Sequence, residues 1–177
     1  CDTNKFTVAD TTGNTAIGGY SLTANTTGAT NTAVGYSSLY SNSTGTSNVA
    51  IGANALDANT TAGENTAVGA SAGAATTTGA VNTFIGSYAG TTNTTGASNT
   101  ALGNAALRLA TTASYNTALG REAMKNTTTG ASNTGVGFQS LFSNTTGANN
   151  TAVGYSAMAA NTTASNNTAF GHSALTA

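Results

Sequence analysis

The chain has 177 residues, a net charge of −1, 5% charged residues, no Pro and no Trp. So neutral a chain offers no basic patch for nucleic acid or anionic lipid, and it lacks the net charge and Pro that keep polypeptides disordered. No apolar run reaches the ~20 residues of a membrane span.

Residues 1–13, CDTNKFTVADTTG, form a lead. Cys1 is the only cysteine, so no intrachain disulfide exists; as a first residue it is a candidate for lipidation, for an interchain disulfide, or for the start of a fragment. KFTVAD alternates Phe6 and Val8 like a strand, and the lead reads as an incomplete first coil that caps the fold or joins subunits.

Residues 14–177 are one repeat. Asn recurs every 17 residues at Asn14, Asn31, Asn48, Asn65, Asn82, Asn99, Asn116, Asn133, Asn150 and Asn167, giving nine full units and a partial tenth. Such exactness marks stacked units rather than a globular domain. The unit reads N-T-A-φ-G-x-x-[AS]-[LMG]-x-x-N-T-T-[GA]-x-x. Its fourth position is apolar throughout: Ile17, Val34, Ile51, Val68, Ile85, Leu102, Leu119, Val136, Val153 and Phe170. Gly and β-branched residues argue against helix. Short strands and tight corners fit, with NTTG as a corner where Asn and Gly accept left-handed backbone. The expected fold is all-β: a parallel β-solenoid with coils ~4.8 Å apart.

Stacking places like residues above one another. The Asn of position one is expected to form a ladder, and the Thr of position fourteen, Thr27 to Thr163, a second. The position-four aliphatics are expected to fill one core column, so that Asp at Val68 would bury an unpaired charge and unfold adjacent coils.

NTAVG, NVAIG and NTAIG resemble the S/N-x-A-[IV]-G motif of YadA-like head repeats in trimeric autotransporter adhesins. That resemblance implies a left-handed β-roll, Thr32 and Val34 (and Val49 and Ile51) pointing inward, and assembly of copies into trimers. The longer NTAVGYxxL…NTTG unit is similar to repeats in phage-type tail fibres. Both imply an extracellular, cell-surface or virion-surface location.

Catalytic chemistry has little to stand on. His172 is the only histidine and reads as solvated surface. Asp57 and Glu64 fall seven residues apart in one unit and Glu122 four units further on, and no unit carries the recurring Asp of a calcium roll. The reading is therefore no enzyme, no metal and no cofactor. Arg108, Arg121, Lys125 and Glu122 gather in units six and seven as aggregation-limiting charges. Tyr36, Tyr40, Phe138, Phe142 and Tyr155 fall at positions six and ten and are candidates for packing against another copy, or for stacking on surface glycans. Asn25, Asn42, Asn59, Asn93, Asn126, Asn144 and Asn161 each begin a glycosylation triplet, although Asn suits a corner anyway.

Three functions compete. The first is a structural extracellular fibre or adhesin shaft whose copies assemble as a trimer or head to tail through the lead segment. The second is ice binding, for which the Asn-x-Thr of positions twelve and fourteen is the available double column; Thr76, Ala110 and Thr127 interrupt it. The third is a glycan-binding tail-fibre segment.

Overall fold

A computed structural model of the chain describes residues 4–7, as backbone, and 12–176. It is a β-solenoid. Strand β1 (Asn4–Thr7) is followed by β2 (Thr15–Gly19), β3 (Thr32–Val34), β4 (Val49–Ile51), β5 (Thr66–Val68), β6 (Thr83–Ile85), β7 (Thr100–Leu102), β8 (Thr117–Leu119), β9 (Thr134–Val136), β10 (Thr151–Val153) and β11 (Thr168–Phe170). These form one sheet in chain order. From β2 onward each strand pairs in parallel with the next at a shift of one repeat, Thr32 beside Val49 and Val34 beside Ile51.

Strand β1 breaks the pattern. It runs antiparallel to β2, with Lys5 opposite Gly18 and Thr7 opposite Ala16. β1 therefore lies antiparallel on its own chain instead of starting a parallel coil, and β2 is paired in cis on that side. Cys1, Val8 and the side chain of Phe6 lie outside the described residues.

Alternation along an extended chain sends successive side chains to opposite faces. In this solenoid positions one and three point in, and positions two and four point out. Ala16, Ala33, Ala50, Ala67, Phe84, Ala101, Ala118, Ala152 and Ala169 are buried at position three, whereas Ile17, Ile51, Ile85, Leu102, Leu119 and Phe170 are exposed. Val34, Val68, Val136 and Val153 are half-buried. The expected position-four core column is thus on the outside, and so is Thr32, which the adhesin resemblance placed inside. The reason is parity: Asn at position one and the aliphatic at position four are three residues apart, so one strand cannot bury both.

The core lies between the small side chains of position three and a Leu/Met column at position nine. Leu39, Leu56, Leu107, Met124 and Leu141 are fully buried there. One wall is thin because the other is thick. Unit five shows the compensation in reverse: Phe84 replaces Ala at position three, and position nine is Gly73 and Gly90 in the coils that touch it. A Cβ on Gly73 would lie 2.7 Å from Phe84 Cδ2, and one on Gly90 would run into the same ring. At Gly135 the trade repeats in miniature, since an added Cβ would sit 2.8 Å from Met124 Cγ.

The corners also differ from expectation. Left-handed backbone falls at positions seven, nine and seventeen, as in Tyr20, Leu22 and Thr30, whose φ values are 62°, 47° and 56°. For residues with a Cβ this region costs ~1–2 kcal/mol each. Burial of a Leu side chain, worth ~1.5–3 kcal/mol, and a bond such as Leu39 N–H to the Ala55 carbonyl at 3.0 Å offset it at position nine. In NTTG neither Asn nor Gly takes that region; the Asn points inward. Gly at position five is needed on two counts. Gly52 has φ 135°, and a Cβ there would lie 2.6 Å from the Gly69 carbonyl oxygen of the next coil.

Candidate interaction surfaces

Two inward Asn columns brace each coil. At position one, the Oδ1 of each Asn accepts the backbone N–H of the Asn one coil on, at 2.8–3.0 Å, unbroken from Asn14 to Asn167. Its Nδ2 donates to the position-fifteen carbonyl of its own coil, for example Asn82 to Gly96 at 2.9 Å. At position twelve the Asn donates to that same carbonyl: Gly45 accepts Asn31 Nδ2 at 2.8 Å and Asn42 Nδ2 at 3.1 Å. It also donates to the preceding Asn of its column, as Asn59 does to Asn42 Oδ1 at 2.7 Å. This second column stops at Thr76, Ala110 and Thr127. The buried polar side-chain atoms left without a partner among the described residues are Asn59 Oδ1, Thr76 Oγ1, Asn93 Oδ1 and Thr127 Oγ1, at or beside those interruptions.

The hydroxyl ladder runs along position thirteen, not position fourteen. Thr60 donates to the Thr77 carbonyl at 3.2 Å, Thr77 to Thr94 at 3.1 Å and Thr94 to Thr111 at 2.9 Å. The nine threonines of position fourteen, Thr27 to Thr163, are all exposed. With position twelve turned inward, Asn-x-Thr presents no double column. The same inward turn bears on glycosylation: Asn42, Asn59, Asn93 and Asn144 are buried with Nδ2 bonded inside, so the folded chain cannot offer them to solvent. Asn25, Asn126 and Asn161 are half-buried.

Outside, two surfaces stand apart. The first is the outer face of the sheet, with Thr at position two beside the aliphatic column at position four. No charged residue lies in either column. Ten rungs at ~4.8 Å make a strip ~45 Å long. At ~10 Å wide, its Thr and apolar columns together cover ~450 Å², within the 300–600 Å² of the largest apolar patch on a typical monomer, a patch that is often functional. Sequence reading missed this face.

The second is the wall carrying positions six, seven and ten. Tyr36 packs edge-on to Tyr20 with centroids 5.5 Å apart, and Tyr40 lies 6.4 Å from Tyr20. Further along, Phe138, Tyr155 and His172 form a stack, with centroids 5.1 and 4.9 Å apart and interplanar angles of 23° and 4°. Rings stacked on one another cover their own faces and leave mainly edges outward, whereas sugar stacking needs a face. The cations sit over rings: Arg108 over Tyr88 at 5.5 Å, Arg121 over Phe138 at 5.8 Å, and Lys125 over Phe142 at 5.5 Å. Lys125 also pairs with Glu122 at 3.1 Å. Bonds from Gln139 and Lys125 hold the Glu122 carboxyl below its usual range. Arg108 and Arg121 have no ion pair among the described residues. Asp57 has none either, and partial burial pushes its carboxyl up.

Among the described residues no three His, Cys, Asp or Glu side chains gather as metal ligands, and no helix is long and apolar enough to cross a membrane. A cavity of about 300 Å³ lies over the last coil, lined by Met158, Asn161, Asn167 and Leu175 among others. These are positions that the following coil covers elsewhere in the stack. Comparison with protein-family models, with curated proteins and with solved structures finds no match.

Proposed function

We propose that the chain is a structural element, a fibre or adhesin-shaft segment at a cell or virion surface, whose copies associate laterally through the outer sheet face. The observation that carries this reading is the charge-free apolar column at position four on the outer face, with six of its ten side chains exposed and four half-buried. An uncharged strip of that length is suited to packing against another protein surface. The absence of charge favours a like surface over nucleic acid or an anionic membrane. The YadA-like motif is consistent with association of copies outside the cell.

Sedimentation of the intact chain tests it. Ile51→Lys with Ile85→Lys, both on the exposed column, should leave the circular dichroism unchanged and shift an assembled species to monomer. A wild-type chain that stays monomeric at high concentration would overturn the reading.

Ice binding draws less support. An ice face needs rungs of even height, and position four ranges from Val through Leu to Phe170. The expected thermal hysteresis is that of an ordinary protein at matched concentration; clear ice shaping would promote the Thr column of the sheet face to the functional surface.

A further inference from the structure

We propose that the wall of positions six, seven and ten is a second contact surface, on which another copy docks antiparallel with its Arg108 against Asp57. The inference rests on lateral association and adds an orientation and a register to it.

The distribution of charge carries the argument. Unit three holds Asp57 at position ten; units six and seven hold Arg108 and Lys125 at position ten and Arg121 at position six. Within one chain Asp57 and Arg108 are three coils apart, ~14 Å, too far to pair. Each is left without an ionic partner among the described residues, and partial burial pushes the Asp57 carboxyl up.

An antiparallel copy related by a two-fold axis between units four and five sets unit three opposite unit six and unit two opposite unit seven. Asp57 then meets Arg108 of the second copy at the same position. Tyr36, 57% exposed, meets Arg121, and Tyr40 meets Lys125. Opposite charges and exposed ring surface thus receive every cation of the wall, and no cation faces another. Two facing copies in parallel register would instead set unit seven against unit seven, with position six of one copy crossing to position ten of the other. Arg121 then meets Lys125, a like-charge contact of the kind that suppresses a pairing, while Asp57 and Arg108 stay three rungs apart and unpaired. An isologous contact uses one patch twice, and this wall is self-complementary only when reversed.

The test is charge reversal in the full chain, read by sedimentation equilibrium. Asp57→Arg and Arg108→Asp should each weaken association at least tenfold, and the two together should restore it. Restoration cannot come from a contact within one chain, given the separation. A second measurement uses a Cys1→Ser background. Asp57→Cys and Arg108→Cys should form an interchain disulfide when mixed and neither should do so alone. Cross-linking of Asp57→Cys with itself would show a different register and overturn the proposal. So would single reversals without effect on a chain that still assembles, a result that leaves the sheet-face reading standing. A wild-type chain that never assembles removes both.

Discussion

The two Asn columns use one side chain at one recurrence with different outcomes. The column at position one runs through all ten coils, and each Oδ1 but the last meets the next coil's backbone N–H. The column at position twelve is broken at three coils, and four buried polar atoms lie unpaired at or beside the breaks. The difference lies in what each amide holds. A position-one Asn satisfies a main-chain N–H that has no other partner, so its loss strands a backbone group. A position-twelve Asn donates to a carbonyl that the position-one Asn already serves, and in places to the neighbouring Asn side chain, so its loss strands no backbone group and can be absorbed one coil at a time. A ladder is as strict as the groups it leaves behind when cut.

Removing a rung from each column gives the largest contrast. Asn82→Ala deletes the acceptor for Asn99 N–H at 2.9 Å and for Asn99 Nδ2 at 3.1 Å, together with the donor to Gly96. At ~1 kcal/mol per bond plus a stranded N–H, the loss should be ~3–5 kcal/mol. Asn59→Ala removes two donated bonds and also an Oδ1 that is already unpaired, so ~1–2 kcal/mol is expected. Equilibrium urea denaturation ranks the two, and equal losses would erase the distinction.

Mending the broken column should stabilise the protein. Thr76→Asn places a donor against Asn59 Oδ1 and the Gly79 carbonyl, and an acceptor beneath Asn93 Nδ2. A gain of ~1 kcal/mol is expected, which raises Tm by ~2–4 °C in a domain of this size. Ala110→Asn should act alike on Asn93 Oδ1. An unchanged Tm would mean that those atoms already find partners in solvent.

The smallest effect sits on the outer flank of the broken column. Burial raises the Asp57 carboxyl above its unfolded value, so its ionised form opposes folding. The penalty is absent below the unfolded carboxylate range and complete above the raised folded value. Asp57→Asn should therefore stabilise the monomer at neutral pH by less than ~0.5 kcal/mol, a gain that disappears as pH falls through that range. Denaturation midpoints at two pH values read it.

Much of this architecture is legible in the sequence. The 17-residue recurrence specifies stacked coils, and an uninterrupted Asn in a neutral chain specifies an internal ladder. The choice of face in NTAVG was harder, because the larger apolar residue is the natural candidate for the interior. Parity gave the answer: once Asn14 is inside, Ala16 is inside and Ile17 is not. A second signal was also present. Phe84 at position three coincides with Gly73 and Gly90 at position nine, and Gly135 with Met124, a trade in volume that only facing walls require. Thr at positions thirteen and fourteen offered no such signal. The two are alike in sequence, and only the path of the corner decides which hydroxyl reaches the next coil. The cations over aromatic rings depend on contacts between coils at three different positions, which a linear repeat does not display.

The most direct test of the parity is a pair of adjacent substitutions in one central strand, Ala101→Asp and Leu102→Asp, compared by thermal denaturation. Ala101 is fully buried and Leu102 is 43% exposed. An unpaired charge in the interior costs several kcal/mol and one in solvent very little. The solenoid predicts that Ala101→Asp loses its cooperative transition or melts far below the parent, while Leu102→Asp melts close to it. The reverse order, with Leu102→Asp unfolded and Ala101→Asp intact, would contradict the fold's inside and outside as described.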